Sequence, residues 1–522
     1  GWFLMGTLSF FAFVWLYGQF LPLQNNDSGT KGKFRTDAAT LNSAYYTNAY
    51  SDSKGYADKT FESSPLNRVI KQGVPGTAWT GKDIQINEMT NSSTEEVRIW
   101  TIDGSGLPVT SANFATGTLT KTEVLDEDSR RVIEYKDKLG RLILKKVQES
   151  GSPSNTHTGW LCTYYVYDSF GRLRVVMPPK AVYEIITNSQ SSTSSTIRDG
   201  LYYLYTYDER GRQITKKLPD KGLEEMVYDL QDRLVAWRDA RLAAANKWIY
   251  TKYDALGRVV LTGIVTYTSS PDRNSLQSHV NTLGNNNAVL NSTSGRSGSI
   301  NAGGFPQVGQ GNGEGEVLSA NFYDTYALST PSMTYIQRSG FDVQSSKTHG
   351  LLTGKLVTNL STGNRVETVY YYDSQGREIQ TIEDHHLGGQ MRFSTRYDFN
   401  HKILQNITEF TSSFGNNTVY KYFNYDVAGL LVSITHQANS TPTVTIANFS
   451  YDQLGNLTNK TFPVAGNAAM NYTYNIRGWL KSINNPQVSN SVDKIFAQEL
   501  FYESGGTSPQ FNGNISKAEW KG

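Results

Sequence analysis

The chain has 522 residues, with 49 basic and 47 acidic side chains and a formal net charge of +2. This balance gives no electrostatic case for a nucleic-acid or anionic-membrane partner. Hydrophobic residues make up only 38% and aromatic residues 12%, with 32 tyrosines. Together with abundant Thr, Ser, Asn and Gly, this composition favours a β-rich fold over disorder. The single cysteine, Cys162, excludes an intrachain disulfide and any multi-cysteine metal site.

The N-terminal region, residues 1–24, is apolar. Residues 2–23 (WFLMGTLSFFAFVWLYGQFLPL) carry no charge and are long enough to span a bilayer. A signal peptide would require Lys or Arg before this stretch, and none precedes it. The preferred interpretation is a strand pair at the edge of a repeat array, and a membrane or signal segment is the alternative. Because the chain begins with Gly1 and ends abruptly, we expect a fragment of a longer protein.

A Tyr-Asp (YD) repeat dominates the rest of the sequence. The dipeptide occurs nine times, beginning at Tyr167, Tyr207, Tyr228, Tyr253, Tyr323, Tyr372, Tyr397, Tyr425 and Tyr451. Degenerate copies are YKD at 135–137 and YN at 474–475. Neighbouring copies are mostly twenty-odd residues apart, which suits two short strands and two turns but not a βαβ unit. Each unit is therefore predicted to be a β-hairpin.

The motif D-x-x-G has the chemistry of a tight turn. Asp supplies a side-chain acceptor at the first position of a type I turn, and Gly at the fourth position adopts a positive φ without strain. A type I turn followed by a bulge joins adjacent antiparallel strands. The predicted turn residues are Tyr167, Asp168, Gly171, Arg172, Tyr207, Asp208, Gly211, Arg212, Tyr253, Asp254, Gly257, Arg258, Tyr372, Asp373, Gly376, Arg377, Tyr451, Asp452 and Gly455.

Other segments interrupt the pattern. Residues 187–196 (TNSQSSTSST) are predicted to be a flexible polar loop, and residues 269–316 a Ser/Gly/Asn-rich surface insertion. Helical periodicity is scarce, and the best candidates lie around Glu225 and 243–245. The predicted organisation is an apolar segment at 1–24, a first array at 25–268, the insertion at 269–316 and a second array at 317–522.

The repeated Tyr, Asp, Gly and Arg side chains have two interpretations. They could form a sugar-binding surface, since Tyr stacks on sugar rings while Asp and Arg bond hydroxyls. In the preferred, structural interpretation, Asp accepts backbone N–H groups in its own turn and Arg crosses to an acceptor or Tyr ring of a neighbouring hairpin. Cross-strand pairs of this kind contribute roughly 0.2–1 kcal/mol each, and repetition multiplies their effect.

Candidate catalytic and metal sites are weak. Asp384, His385 and His386 are the densest set of metal-ligand types, but neighbours on a strand point to opposite faces and exposed loop residues are the simpler interpretation. Cys162, five residues after His157, lies in an apolar strand, where an inert buried thiol is expected. The carboxylates at 126–128 are expected in a solvated turn. The sequence has no phosphate-binding loop, and we predict no cofactor, no metal and no enzymatic activity.

The repeated YDxxGR units resemble those of YD-repeat proteins: bacterial Rhs polymorphic toxins, the C component of insecticidal toxin complexes, and teneurins. Three longer segments are similar to Rhs-type proteins of Bacteroidetes, namely FESSPLNRVIKQGVPGTAW at 61–79, SANFYDTYAL at 319–328 and GLLTGKLV at 350–357. The resemblance implies an all-β fold in which an antiparallel hairpin ribbon spirals into a partial hollow shell.

The resemblance also implies a function. In Rhs toxins the shell encloses a C-terminal effector, and an autocleaving aspartyl protease precedes a variable toxin; neither is recognisable before Gly522. The chain is therefore expected to be non-catalytic wall, secreted or on the surface of a bacterium, and used in interbacterial competition. Its expected partners are its own C-terminal toxin domain and secretion machinery or a surface glycan, with no nucleic acid. The alternative is a teneurin-like adhesin that binds carbohydrate or protein, and an enzyme is a distant third.

Overall fold

A computed structural model describes residues 18–21, 36–267, 272–284, 305–306, 316–327, 331–385, 388–413, 415–466, 468–484, 486 and 496–521. Strands dominate these residues, as the abundance of Tyr and Thr and the scarcity of aliphatic residues predict. The described part contains 31 strands and five α-helices.

The elements up to residue 267 follow one another with short connections. They are β1 (Gly18–Phe20), α1 (Ala38–Tyr50), β2 (Tyr56–Phe61), β3 (Val69–Gln72), β4 (Ile84–Thr90), β5 (Arg98–Ile102), β6 (Pro108–Asn113), β7 (Thr120–Leu125), β8 (Arg131–Lys136), β9 (Leu142–Gln148), β10 (Trp160–Tyr167), β11 (Leu173–Met177), α2 (Pro179–Ile186), α3 (Ser195–Gly200), β12 (Tyr203–Tyr207), β13 (Gln213–Leu218), β14 (Gly222–Tyr228), β15 (Leu234–Arg238), α4 (Ala240–Ala244), β16 (Lys247–Tyr253) and β17 (Val259–Thr266).

One further helix and fourteen strands complete the described chain. They are α5 (Arg273–Thr282), β18 (Glu316–Tyr323), β19 (Leu352–Thr358), β20 (Arg365–Tyr372), β21 (Glu378–Asp384), β22 (Gln390–Tyr397), β23 (Ile403–Ser412), β24 (Gly415–Tyr425), β25 (Leu431–Ala438), β26 (Val444–Tyr451), β27 (Leu457–Phe462), β28 (Ala468–Tyr474), β29 (Leu480–Ile483), β30 (Ala497–Phe501) and β31 (Lys517–Lys521).

The strands form one antiparallel meander of 29 strands. Each strand pairs with the next in sequence, except that β5 and β6 make a separate hairpin and β4 pairs directly with β7. Among the described residues β1 pairs with β2 and β31 with β30, so the sheet has two free edges and is not a closed barrel. The predicted all-β hairpin ribbon is confirmed.

The apolar N-terminal segment is described only at its end. Residues 18–20 form β1, in which Gly18 pairs with Asp58. Residues 1–17, which contain most of the predicted strand pair or membrane segment, lie outside the described residues. Among the described helices, none has the length and apolar character needed to cross a membrane.

One face of the sheet is covered by additional layers between β8 and β12. In β10 the side chains of Trp160, Cys162, Tyr164 and Val166 alternate inward and are at most 7% exposed. The β5–β6 hairpin and α2 pack over them in one apolar cluster. The covering hairpin is fastened by a hydrogen bond of 3.0 Å from the Arg98 backbone N–H to the Tyr164 hydroxyl.

A second cluster corrects the prediction for residues 269–316. Within this stretch α5 buries Leu276 and Val280 against Trp248 of the sheet. Asp272 caps the helix by accepting the backbone N–H of 274 and of 275, each at 3.0 Å. The described part of the insertion is therefore a packed helix as well as loop. Two apolar residues four positions apart form one helical face, which the surrounding Ser and Asn concealed.

The predicted helix around Glu225 is wrong. Glu225 lies in β14, where it pairs with Arg238 of β15 and accepts a 2.5 Å hydrogen bond from the Nε of Arg238. Pairing on both sides of β14 outweighs the local helical preference of its two glutamates. The Ala-rich stretch does form α4, capped by Asp239. In residues 187–196, Ser194 caps α3, so the predicted loop ends at a helix.

Candidate functional site

The YD unit at Tyr372 shows how each turn is built. The backbone N–H of Gly376 donates to Asp373 O (3.1 Å), and that of Asp373 donates to Arg377 O (3.0 Å). Asp373 Oδ1 accepts the N–H groups of Gln375 and Arg377, while Oδ2 accepts Arg377 Nε at 2.6 Å. Gly376 has φ +77° and the strand register shifts at Tyr372. The unit is a type I turn followed by a bulge.

The same turn recurs along one rim of the ribbon. In ten turns the first residue donates its N–H to the carbonyl four residues later at 2.8–3.0 Å. The first residues of these turns are Asp137, Asp168, Asp208, Asp229, Asp254, Asp373, Asp398, Asp426, Asp452 and Asn475. The fourth position is Gly in eight of them, and Asp232 and His401 adopt the same positive φ in the other two. Five of these ten turns hold all the turn residues predicted above.

The remaining Tyr-Asp dipeptide, Tyr323-Asp324, departs from this geometry. Asp324 itself has φ +69°, and its N–H donates to Leu351 O across a longer connection. Its carboxylate receives Arg258, at 2.9 Å from NH1 and 2.6 Å from NH2. Asp324 thus supplies the acceptor that a backbone carbonyl supplies elsewhere. The dipeptide alone did not distinguish this connection from the others.

The tyrosine of each unit links it to the unit before. Eleven Tyr hydroxyls donate, at 2.6–3.1 Å, to a carbonyl at or next to the start of the outgoing strand of the preceding hairpin: Tyr167, Tyr207, Tyr228, Tyr253, Tyr323, Tyr372, Tyr397, Tyr425, Tyr451, Tyr474 and Tyr502. Burial raises the pKa of every one of these phenols. They therefore remain protonated donors at neutral pH.

Where the fifth position of the turn is arginine, its side chain links the unit to the unit after it. Arg172, Arg212, Arg233 and Arg377 donate from NH1 to the carbonyl of the next turn's Asp at 2.9–3.2 Å. Each guanidinium also lies over the next unit's Tyr ring, 4.9–5.4 Å from its centroid. We call this chain of Asp, Arg and Tyr contacts the turn ladder. Its polar side chains are largely engaged with one another.

The carboxylates of the ladder are held ionised. Burial opposes ionisation of Asp373, but the hydrogen bonds from the Arg377 backbone and guanidinium outweigh it and hold the pKa of Asp373 below its usual value. The pKa values of Asp168 and Asp208 are lowered for the same reasons. An ionised Asp with its acceptor sites occupied by its own turn is a structural group, with little capacity left for a ligand.

The prediction of a solvated turn for the carboxylates at 126–128 is wrong. They lie in the β7–β8 turn but are not solvated, because a segment from the far end of the chain packs on them. Glu127 is 7% exposed and faces Arg477 at 3.5 Å. Both Oδ atoms of Asp128 accept the Phe511 N–H at 3.1 Å, and Asp126 accepts Asn512 Nδ2 at 3.1 Å.

An apolar cluster lies beside these ionic contacts. Trp79 is 2% exposed and donates from Nε1 to Phe511 O at 3.0 Å. Its ring meets Trp479 edge-on, with centroids 6.1 Å apart. The Arg477 guanidinium lies 4.1 Å from the Trp479 ring, and burial lowers the pKa of Arg477. Ile476, from the turn at Asn475, completes the cluster with Val74 and Tyr46.

We call this contact, formed by residues 46–82 and 126–128 with residues 452–513, the seam. Its hydrogen-bonded partners are separated by 350 to 432 residues in sequence. Strand pairing connects each strand only to its neighbours, so the ribbon must curve through a full turn for these ends to meet. Because the seam joins side chains and loops rather than strands, it holds these two parts of the ribbon together while the sheet itself stays open.

Where the structure describes them, the remaining sequence candidates do not come together in a site. Cys162 is 2% exposed, and burial raises the pKa of its thiol to about 11. His157 Nε2 bonds the Tyr164 hydroxyl at 2.9 Å. His385 packs edge-on against Phe410, Asp384 accepts a backbone N–H, and His386 lies outside the described residues. Within the described ranges, no group of three metal-ligand residues is close enough to hold an ion.

Comparisons with known proteins give limited matches. A family model described as a domain of unknown function, DUF6443, matches residues 16–93. The search of curated proteins returns no match. Among solved structures, the TcdB2-TccC3 structure is 12% identical with a TM-score of 0.48, over 86% of this chain and 20% of that one. A Photorhabdus luminescens Tc holotoxin pore with a TccC3 mutation is also 12% identical, with a TM-score of 0.26, over 86% of this chain and 26% of that one.

At these identities and scores, the solved structures carry no functional conclusion for this chain. The chain spans only about a fifth to a quarter of their length. The family match includes β1, α1 and the loop that contributes Trp79 to the seam.

Proposed function

We propose that the chain is a length of Rhs-like shell wall whose role is to enclose a C-terminal effector domain of the same protein. The seam is the observation that carries this proposal. A ribbon of hairpins that returns to its own beginning bounds a space, whereas an open ribbon does not. The motif resemblance supports the family, and the segments at 61–79, 319–328 and 350–357 support its Bacteroidetes branch.

The dimensions of the wall suit an enclosure for a chain that is not fully folded. About two dozen strands separate the two sides of the seam, and at ~4.8 Å per strand they give a perimeter of roughly 115 Å. A circular ring of that perimeter is about 37 Å across between strand axes. Side chains reduce the clear width to about 27 Å, against roughly 34 Å for a compact domain of about 100 residues. Confinement would therefore disfavour a folded effector.

The wall is also suited to a passive role. The Asp and Arg side chains of the turn ladder bond one another, and the buried thiol of Cys162 is protonated. A steric barrier needs no reactive group, only a continuous ladder and a closed seam. Within this proposal the protein is secreted or displayed on the cell surface through secretion machinery and acts in interbacterial competition.

Protease protection tests the proposal in the full-length natural protein, including everything encoded after residue 522. In Arg477→Glu, the new carboxylate faces Glu127 and should open the seam. We expect the effector to be cleaved at least ten times faster in this variant than in the wild type. Arg365→Glu, at an exposed position outside the seam, is the matched control and should behave as the wild type.

Two results would contradict enclosure. One is equal cleavage of the downstream region in the wild type and in Arg477→Glu, with far-UV circular dichroism showing that both remain folded. The other is a reading frame that continues only into further repeats or a surface anchor, with no effector and no adjacent immunity gene.

A second candidate function is adhesion, and a polar patch favours it. In β24–β28 paired side chains on one face bond each other at 2.7–3.4 Å: Asn424 with Ser433, Asn448 with Thr461, Asn459 with Asn471. Register places these residues in adjoining rows. Amides and hydroxyls on a half-exposed sheet suit a carbohydrate ligand.

A glycan array tests the adhesin with purified chain. Binding that is lost in Asn448→Ala but retained in Ser374→Ala, a turn residue outside the patch, would support adhesion. An array without a hit above background at micromolar protein would remove this candidate.

A further inference from the structure

The loop that brings Phe511 to the seam carries a chemically labile pair. Asn512 is followed directly by Gly513. Asparagine is among the thermolabile residues of proteins, because the backbone nitrogen of the next residue can attack its side-chain carbonyl carbon. A following glycine hinders that attack least, since it has no side chain. Asn514, by contrast, is followed by Ile515, whose branched side chain shields the nitrogen. Asn512 is therefore the reactive asparagine of this loop.

The seam makes use of both ends of the Asn512 amide. Its Nδ2 donates to Asp126 Oδ2 at 3.1 Å, and its Oδ1 accepts the backbone N–H of Asn514 at 3.1 Å. The backbone N–H of Asn512 also donates to Asp128 Oδ2 at 3.4 Å. An amide side chain offers a donor and an acceptor together, whereas an ionised carboxylate only accepts. The contact with Asp126 therefore requires the amide.

The seam also requires the glycine that follows. Gly513 has φ +95°, and a Cβ added there would lie 3.2 Å from Cζ2 of Trp479. A larger residue would be strained in its backbone and would press on the Trp479 ring. The packing of the seam thus places beside Asn512 the residue that hinders attack on its side chain least.

A carboxylate at position 512 would oppose the closed seam. The side chains at 126–128 already place three carboxylic acids against this loop, and Arg477 and Lys82 contact it through the carbonyl oxygen and the ring of Phe511. Replacing Nδ2 by an oxygen would exchange the hydrogen bond to Asp126 for repulsion between like charges at short range. Loss of the amide would therefore weaken the contact that joins the two parts of the ribbon.

We propose that Asn512 is a deamidation site and that its conversion holds the seam open. The Gly513 nitrogen loses its proton and bonds to Asn512 Cγ, while the Cγ–Nδ2 bond breaks and Nδ2 leaves as ammonia. Water then adds across one carbon–nitrogen bond of the resulting succinimide, which leaves aspartate or isoaspartate at 512. Water is the only co-reactant, and no group is oxidised or reduced.

The hydrogen bonds of the closed seam restrain this reaction. Attack requires Asn512 Cγ to turn toward the Gly513 nitrogen, and the bonds of Nδ2 to Asp126 and of Oδ1 to the Asn514 N–H oppose that rotation. Opening of the seam releases the side chain and permits attack. The new carboxylate then disfavours closure, so the change proceeds in one direction.

Amide hydrogen exchange of the full-length natural protein tests the effect on the seam. Asp128 accepts the Phe511 N–H in the closed seam. In Asn512→Asp, peptides that contain Phe511 should exchange at least ten times faster than in the wild type. Asn514→Asp is the matched control, because it adds the same charge to the same loop at an exposed position. Its exchange should stay within about twofold of the wild type, and far-UV circular dichroism checks that both variants are folded.

Incubation of the same protein at pH 8 tests the chemistry. Peptide mass spectrometry follows Asn512 and Asn514 in the native wild type and in wild type unfolded by urea. We expect Asn512 to convert at least ten times faster in urea, and faster than Asn514 in both states. Native molecules that have converted should be those that lost protection of Phe511. Asn512→Gln has one more methylene between backbone and amide, which slows the attack, so its exchange should be the same before and after incubation.

Equal exchange in Asn512→Asp and Asn514→Asp would overturn the proposal, since a carboxylate at 512 would then not open the seam. An amide that persists at Asn512 in urea would remove the reaction itself. Equal conversion in the native and unfolded protein would show that the closed seam does not restrain it. Loss of protection in aged Asn512→Gln would assign the opening to another change. None of these measurements involves the effector, so this inference and enclosure can fail independently.

Discussion

Two stretches of the ribbon share the turn ladder but differ in what covers the sheet. Between β10 and β20 the residues one and three positions before the ladder Tyr are buried in most strands: Tyr164, Val166, Tyr250, Lys252, Ala320, Phe322, Val369 and Tyr371 are all at most 4% exposed. Between β24 and β28 the same positions hold polar or half-exposed residues, namely Tyr422, Asn424, Asn448, Ser450, Asn471 and Thr473. Register places these positions on the same face of the sheet.

The difference shows that the ladder and the apolar layer are separable. In the covered stretch, the β5–β6 hairpin, α2 and α5 bury most of the face, and the segment of Met333 covers Val369 and Tyr371 of β20. In the uncovered stretch the face pairs Asn, Ser and Thr across strands, while Tyr425, Tyr451 and Tyr474 keep their ladder bonds. The ladder therefore defines the ribbon everywhere, and burial adds stability only where an inserted layer is present.

The largest expected difference in stability between the two stretches comes from replacing a buried aromatic residue. Trp248 lies five residues before its ladder Tyr and is fully buried, and Tyr420 is the matched, half-buried position in the uncovered stretch. Trp248→Ala should destabilise its stretch by about 3–5 kcal/mol, and Tyr420→Ala by about 1 kcal/mol. Hydrogen exchange of β16 and β24 measures each locally. Equal losses would mean that the covering layer contributes little.

A pH effect should be specific to the covered stretch. Burial lowers the pKa of His157 to about 4, against the opposing attraction of Glu96. Since the folded pKa lies below the unfolded value of 6.5, stability is complete above pH 6.5 and falls as the pH drops from 6.5 toward 4. Between pH 7 and pH 5 we expect a loss of about 2 kcal/mol.

His157→Gln, which keeps a side chain able to bond Tyr164, should flatten that dependence. Urea unfolding at pH 7, 6 and 5 measures it, with hydrogen exchange of β10 as the local readout. An unchanged slope in His157→Gln would assign the pH dependence to other groups.

Replacing the turn glycine should cost a similar amount of stability in both stretches. Gly376 and Gly455 have φ +77° and +85°, and no neighbouring atom would contact an added Cβ at either. Replacement by Val should therefore cost only backbone strain, about 1–3 kcal/mol, while Ser374→Ala should cost much less. Thermal unfolding compares the three. A large cost at one glycine but not at the other would show that the ladder depends on the covering layer.

The smallest expected effect is at the natural lysine of the ladder. Lys402 holds the Arg position in the turn between β22 and β23, before the uncovered stretch, and lies 5.3 Å from the centroid of the Tyr425 ring. Lys402→Arg should add a bond to the next turn and stabilise by about 0.5–1 kcal/mol, and Arg377→Lys should lose a similar amount. Urea midpoints measure both. A loss in Lys402→Arg would mean that the guanidinium does not fit there.

The turn ladder was predictable because its information is local. Asp, Gly and Arg lie within six residues of one another, and the Asp and Gly chemistry follows from backbone geometry alone. The acceptor carbonyls of the Tyr hydroxyls were not predictable, since they depend on how neighbouring hairpins stack. Likewise, α5 was missed because only Leu276 and Val280 interrupt a polar stretch.

The seam could not be predicted from the sequence, for a different reason. Asp126, Glu127 and Asp128 have the composition of a solvated turn, and only the accumulated curvature of the intervening strands brings Phe511 to them. A small change in the twist of each strand would move the two ends apart. No local sequence pattern encodes this accumulated curvature, so nothing in the sequence around Trp79 and Arg477 indicated that the two residues lie close together.

The sequential strand order has a consequence for synthesis. As the chain leaves the ribosome, each new strand finds its partner already formed, so hairpins can add one at a time without waiting for distant segments. The contact between Trp79 and Phe511, 432 residues apart, is the exception. It cannot form until nearly all of these residues have been translated, and closure is therefore a late event that follows the growth of the ribbon.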